Sequence, residues 1–453
     1  MRGNVVRIYD FVDEGLGHSS YMIDLGNGTA AIIDPPRFPT AHESLADNLG
    51  LSIAWTLDTH SHADYVTGSP ALAARRGATF VAPRASRLAT PHRPIEDREH
   101  IQLASDIELI AMATPGHTPD HHAYLLIELG TPVALFTGGS LMVGAIGRTD
   151  LCGPDLARPL AHDMFRSLRR FDELSAELPV YPTHGAGSFC SAPGGTRRST
   201  TIGRELVENP LFSIRDEDAF VEQLLAGFGS FPTYFAILPE LNRLGPTRYD
   251  TLPRLAPLSP DDLERHVAAG GVVVDARPVA KFAAGHVPDS ISNSLRPAFA
   301  SWLGWLVGLD CSLVFVLDAD QDRDDLVRQC LNIGHEHLVG ELGGGIKAWT
   351  SELRRVHTIP LVDPALMTHD VVDVRQANEY QEGHVPGAAN VELAALSRTH
   401  LCDHPLTVMC GHGERAMTGA SLLAAGGRTD LVVLEGGPDT WSCAFDTPLE
   451  VGQ

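Results

Sequence analysis

An α/β multidomain fold is what this 453-residue sequence predicts, and three observations predict it. Short β-branched apolar runs alternate with helix-like segments along the whole chain, the pattern of strands and covering helices. The stretch "VVVDARPVAKFAAGHVPDSI" at 272–291 is echoed by "DVVDVRQANEYQEGHVPGAAN" at 370–390, so one α/β domain is present twice. Histidine-rich clusters and a glycine-flanked cysteine come directly after apolar runs, the strand-end placement of sites in α/β proteins.

Taken in order, the N-terminal part predicts strands over 5–9, 20–24, 30–33, 53–58, 79–82, 107–111, 122–127 and 133–137, interleaved with helices. Residues 205–255, with "FPTYFAILPELNRLGP", predict a helical extension and then a linker. In each repeat a β run (272–274; 371–372) ends in Asp-x-Arg, and a helix, a further strand (313–317; 406–409) and another helix come after it. That alternation predicts parallel sheets with helices on their faces. The expected domains are 1–250, 256–356 and 360–453.

The formal net charge of −23, with no basic run to offset it, repels phosphate backbones and anionic lipid, and no apolar run reaches bilayer length. Nucleic acid and membrane are therefore not expected partners. The first residues lack the apolar core of a signal peptide, and the seven cysteines form no CxxC pair, so a reducing, cytoplasmic setting is expected. Oligomeric state stays open, a homo-oligomer included.

Cys410 opens "CGHGER". Gly411 and Gly413 let backbone N–H groups curl inward, the following helix presents its positive end, and Arg415 can close the cradle around an anionic sulfur. His412 and Glu414 complete this loop. Together with Asp373-Val374-Arg375, "EGHVPGA" (382–388) and "EGGPDTW" (435–441), the loop resembles the rhodanese family of sulfurtransferases. The resemblance implies that Cys410 accepts sulfane sulfur as a persulfide and passes it to cyanide, a thiol or sulfite, with small-molecule thiols and persulfides as partners. Only four residues separate Cys410 from Arg415, a cradle sized for one sulfur atom. The first repeat has Leu317 or Asp318 at the cysteine position and an acidic loop, so it resembles an inactive rhodanese domain; its Gly285–Pro288 turn and Trp349 read as structural, and Cys311 and Cys330 as core residues.

"LDTHSHADYVTG" (57–68) sets His60, His62 and Asp64 at alternating positions after a strand, "TPGHTPDHHAYLL" (114–126) adds His117, and "YPTHGAGSFC" (181–190) adds His184. Imidazoles converging from several strand ends predict a metal site. From Asp34 to His184 the residues resemble the metallo-β-lactamase fold, an αββα sandwich, and within it the branch of glyoxalase II and the persulfide dioxygenases, on "FTGGSLMVGAIGRTDL" (136–151). The resemblance makes Arg148 and Thr149 candidates for holding an anionic thiol substrate such as glutathione. Two positions depart from it. Gly139 stands where the dioxygenases carry a metal-binding aspartate, and Tyr65 where the dinuclear hydrolases carry a histidine. One metal ion, Fe(II) or Zn(II), on His60, His62 and His117 is the remaining expectation, with Asp installed at 139 expected to strengthen iron binding. The functions implied are a persulfide dioxygenase-like domain joined to a sulfurtransferase, a zinc thioesterase of the glyoxalase II kind, or a silent scaffold for the sulfurtransferase.

Overall fold

The computed structural model describes residues 6–185, 188–189, 197–368, 370–401 and 404–452. They form two compact units, one holding the chain up to Asp250 and the other most of the chain from Thr251 onward. Among the described residues no helix is long and apolar enough to cross a membrane, and the five described cysteines are free thiols. Cys190 and Cys402 lie outside the described residues.

The first unit is built on two six-stranded sheets. One runs in the order Arg7–Asp13, His18–Asp24, Thr29–Ile33, Ser52–Leu57, Thr79–Pro83, Arg93–Ile95; it begins antiparallel and turns parallel from its third strand. The other runs Thr200–Thr201, Pro179–Pro182, Thr131–Gly138, His122–Glu128, Ile107–Ala113, His100–Ala104. Strand side chains alternate between faces, so Tyr21, Ile23, Ile33 and Leu57 of the first sheet meet Leu109, Tyr124, Leu126 and Phe136 of the second in one core. The opposite faces bury Met22, Ala30 and Ile32 against helices Thr40–Leu49 and Ser69–Arg76, and Ala123, Leu125 and Val180 against helices Pro154–Arg169 and Glu217–Ala226. This is an αββα sandwich. Strands buried on both faces explain why "HHAYLLIE" reads as an unbroken apolar run.

Part of the expected extension belongs to the sandwich itself. Helix Glu217–Ala226, capped by the Asp216 side chain accepting from the Ala219 N–H at 2.8 Å, packs Phe220 at a tilt against Phe165 with ring centroids 5.5 Å apart. Its apolar positions supply the outer layer of the second sheet, a role that its sequence neighbours do not reveal.

The second unit holds two five-stranded, all-parallel sheets of the same topology. The first is ordered Ala256–Leu258, Leu338–Leu342, Leu313–Val316, Val272–Asp275, Ile291–Ser292, and the second Leu361–Val362, Leu431–Leu434, Leu406–Met409, Asp370–Asp373, Ala389–Asn390. In both, the Asp-x-Arg motif folds back on itself: Arg277 pairs with Asp275 and donates to the Gly285 carbonyl, and Arg375 pairs with Asp373 and donates to that of Gly383. A stacked aromatic–histidine pair then packs the turn, Phe282 on His286 and Tyr380 on His384. Trp349 is buried and donates to the Arg355 carbonyl at 2.8 Å, a structural placement. Cys330 is fully buried, whereas Cys311 is only half-buried and so departs from its expected core position.

The repeats share a core. Phe282 and Ala283 of helix Val279–Ala284 are buried among Val374, Leu396, Ala416 and Ala420 of the second repeat, and the Ser292 N–H donates to Ser421 Oγ at 3.0 Å. Phe282→Ala is therefore expected to cost about 3–5 kcal/mol and to lower hydrogen-exchange protection in strand Leu406–Met409 as well as in Val272–Asp275. Loss of protection confined to the first repeat would contradict the shared core.

Candidate active sites

The first site is assembled around Asp34, which leaves strand Thr29–Ile33 in a left-handed conformation, φ 53°. A side chain in that region is strained, and the strain persists where surrounding contacts over-determine it. Those contacts are on the carboxylate. Oδ1 accepts from the Thr59 N–H (2.7 Å) and His62 Nε2 (3.2 Å), and Oδ2 accepts from the hydroxyls of Thr59 (2.8 Å) and Thr183. Burial pushes this carboxyl up, but His62 and the two threonines outweigh it and hold it at about 2.

Hydrogen-bond partners then fix the tautomers of three imidazoles. The Thr59 hydroxyl proton lies on Asp34, so its oxygen accepts from His60 Nδ1 (2.8 Å), leaving the lone pair of His60 on Nε2. His62 donates through Nε2 to Asp34 and keeps its lone pair on Nδ1. His117 donates through Nδ1 to the Arg148 carbonyl (2.8 Å), leaving Nε2. The Nδ1 of His184 lies 3.1 Å from Asp64 Oδ2, an ion-pair distance without hydrogen-bond alignment, and its Nε2 faces the Nε2 of His60 at 3.4 Å.

The rings of His60, His62 and His117 are thus each anchored at one nitrogen, and the His184 ring crowds against them. His62 Nδ1, His117 Nε2 and both oxygens of Asp64 are buried without a hydrogen-bond partner. Unpaired buried acceptors are costly, and ring nitrogens that approach one another at 3.4 Å can share a cation. Ligand atoms of His60, His62 and His184 lie within 4.8 Å of one another, and the His117 ring stands 5.0 Å from His60 and 5.4 Å from His184. The donor set fits a divalent metal ion. Burial holds His60 well below the ordinary imidazole value and His117 at about 3, so both stay in the neutral, metal-binding form. Burial pulls His62 down too, yet Asp34, with Asp58 and Asp64, outweighs it and raises it.

Residues without a sequence signal complete the site. His18 donates to the Asp34 carbonyl (3.0 Å) and packs on Tyr65, and His121 accepts from the Gly139 N–H (2.9 Å) while its Nδ1 meets Thr114 (2.8 Å). With both nitrogens engaged, His121 is a support and not a donor. Ser61 turns the other way from its histidine neighbours, and its N–H and hydroxyl both donate to Asp120. Above this loop lies a cavity of about 740 Å³, lined by Ser61, Thr118, Asp120, Asp150 and Cys152 among others.

The second site is the loop after strand Leu406–Met409. Cys410 is 1% exposed, and its Sγ accepts the Gly413 N–H at 3.1 Å. Gly413, at φ 104°, makes the left-handed turn that aims this N–H at the sulfur and starts the 12-residue helix Glu414–Ala425, whose N-terminus has no side-chain cap. Gly437 backs the loop so closely that a Cβ there would sit 2.1 Å from the Gly411 carbonyl oxygen. His412 is exposed, and the Glu414 carbonyl accepts from Thr418. The Arg415 guanidinium pairs with Glu379 through both Nη atoms (2.6 and 2.7 Å) and lies 5.3 Å from the ring of Trp302.

In the first repeat Asp275 pairs with Val316 as Asp373 pairs with Met409, so Leu317 occupies the cysteine position. A model of the rhodanese-like domain matches residues 259–352 and 362–444. A metallo-β-lactamase of Staphylococcus aureus superposes over 75% of this chain and 99% of its own, with a TM-score of 0.68 and 26% identity. This chain is a fusion of a metallo-β-lactamase-fold domain with two rhodanese-like domains. The fusion is also 32% identical over 161 residues to a hydroxyacylglutathione hydrolase of Methylococcus capsulatus, 35% of this chain and 58% of that protein. It is 29% identical over 191 residues to a human mitochondrial persulfide dioxygenase, 42% of this chain and 68% of that protein. The chain thus spans little more than half the length of the hydrolases it matches.

Two expectations about the fusion need correction. Arg148 is 5% exposed and saturated by Asp150 (2.7 and 2.8 Å), the carbonyls of Phe189 and Gly229 and the ring of Phe231, and the hydroxyl of the buried Thr149 donates to the Ala157 carbonyl. The pair braces loops, and the cavity is lined by Asp150 and by Arg243 paired with Glu240. At Gly139 a Cβ would lie 2.3 Å from Cδ2 of His117. The imidazole fills the volume that an aspartate side chain requires.

Gly139→Asp should therefore cost about 1–3 kcal/mol by overpacking and fail to raise bound iron, as thermal denaturation and metal analysis would show. A stable variant richer in iron would refute the steric account. A pH dependence also arises from the buried imidazoles. His117 at about 3 and His18 at about 4 stay neutral in the fold, while the unfolded chain takes up these protons near 6.5. These imidazoles make stability fullest above pH 6.5 and lower it as pH drops toward 4, by up to about 1.4 kcal/mol per pH unit per histidine, with His62 and the Asp58 carboxyl, which burial raises to about 7, opposing. Urea unfolding of the metal-free protein at about pH 7.5 and about pH 5.5, on either side of the unfolded imidazole value, checks the sign. Greater stability at the lower pH would contradict it.

Proposed function

We propose that the fusion is a sulfur-handling enzyme. Cys410 carries sulfane sulfur as a persulfide, and the N-terminal domain acts on a small thiol-derived substrate, a low-molecular-weight persulfide, at one metal ion. The observation that supports this most directly is the Cys410 loop, where the Gly413 N–H points at the sulfur beneath an uncapped helix N-terminus. Such a cradle offers a donor to a sulfur held at this place. In the step proposed, the Cys410 thiolate attacks the outer sulfur of a persulfide RS–SH. The new S–S bond forms as the old one breaks, and the electron pair leaves on RS⁻.

In the metal domain, His60, His62 and His184 would hold the ion, with His117 and Asp64 beside them. A bound ion would supply Lewis acidity, and iron would add oxygen chemistry. The chain contributes orientation: Thr59 holds His60, Asp34 holds His62, and the Arg148 carbonyl holds His117, each with its lone pair turned inward. A second reading, a zinc hydrolase acting on thioesters, is supported by a donor set dominated by imidazole and by the likeness to hydroxyacylglutathione hydrolases.

Cys410→Ser is expected to abolish sulfur transfer from thiosulfate to cyanide and the mass gain of one sulfur on the protein. Transfer retained by the variant would overturn the assignment. His60→Ala and His184→Ala should each leave bound metal well below one per chain while Cys410 still loads sulfur; metal analysis and O2 uptake with glutathione persulfide then separate the iron reading from the zinc one.

A further inference from the structure

The geometry points to Glu379 as a specificity-determining residue of the Cys410 site, one that cancels the charge of Arg415 and biases the cradle against dianionic sulfur donors. This rests on the reading of Cys410 as the sulfur carrier. Glu379 sits on helix Ala377–Glu382, four residues after Arg375, and takes both Nη groups of Arg415. A bidentate fork leaves the guanidinium edge fully matched by carboxylate. Trp302, contributed by the first repeat, lies over the same guanidinium at 5.3 Å. The loop arginine is thus held by Glu379 and covered by an indole, and the loop's remaining charged residue, Glu414, is acidic. The hydrogen bond recorded on the sulfur comes from the Gly413 backbone N–H.

The first repeat supplies an internal comparison. Lys281 stands at the matching place, four residues after Arg277, and pairs with Asp318 of its own loop at 2.7 Å. In both repeats the helix position carries the charge opposite to the loop it faces. The pairing is a property of the fold, and its sign is set by the loop. In the active repeat it leaves the cradle without net positive charge.

Thiosulfate presents two negative charges to the cradle. Attack by the Cys410 thiolate on its outer sulfur expels sulfite with the electron pair, so the total charge of three is conserved and stays in the cradle throughout. A persulfide reacting in its protonated form RS–SH brings no charge on its two sulfurs, so the reacting sulfurs carry only one negative charge at each stage. A cradle neutralised by Glu379 therefore favours the persulfide.

The test uses the full chain with Glu379→Gln and Glu379→Ala, and two independent readouts. Alkylation of Cys410 by iodoacetate relative to iodoacetamide reports the charge of the cradle without reference to sulfur transfer. This ratio should rise about tenfold in both variants as Arg415 is released. The kcat/KM for thiosulfate should rise by a similar factor, while that for glutathione persulfide stays level or falls. A role in folding alone would lower both donors together and leave the alkylation ratio unchanged; that result, or an unchanged ratio in two folded variants, overturns the assignment. A raised alkylation ratio with no sulfur loaded on Cys410 from either donor would uphold the charge assignment and defeat the sulfurtransferase reading.

Discussion

The first unit depends on one buried carboxylate. Asp34 closes a strand of the first sheet, and its two oxygens reach Thr59 and His62 beyond the neighbouring strand and Thr183 beyond a strand of the other sheet. A charge buried this deeply is tolerated only when every lone pair is met, and meeting them ties the ends of both sheets together. The left-handed backbone of Asp34 is the conformational cost of that arrangement. The histidine orientations depend on it, because His60, held through Thr59, and His62 present their free nitrogens inward only while Asp34 holds the opposite side.

The second unit solves a different problem. A nearly buried thiol has to be met by a donor and yet kept within a small parallel-sheet domain. The helix start at Gly413 supplies the donor, and the neighbouring repeat supplies part of the core. The cysteine-free repeat has a physical role here, since Phe282 fills space in the second repeat and Trp302 lies on Arg415. Sharing a core in this way lets two domains of about a hundred residues bury more apolar surface than either would alone.

Much of the architecture was legible along the chain. Alternating β runs and helical segments announced the α/β class, and the duplicated Asp-x-Arg and Gly-His-Val-Pro motifs announced the repeat, because strand and helix periods are local properties. His60, His62 and Asp64 were readable for the same reason: a period of two after a strand sends alternate side chains to one side. His18 and His121 were not, since nothing adjacent to them in sequence distinguishes a support from a surface residue. The helix at 217–226 read as an appendage because its partner, Phe165, lies far away in sequence.

By itself the sequence determined which chemical groups are present and near which strand ends they fall: imidazoles and carboxylates in one domain, a thiol in a glycine loop in the other. The tertiary structure alone decided what those groups are free to do. Arg148 is matched by Asp150 and two carbonyls, Arg415 by Glu379, and the space beside Gly139 is taken by the ring of His117. Charge compensation and excluded volume act through space between residues that the chain holds apart, so their outcome is set only when the sheets and helices have packed.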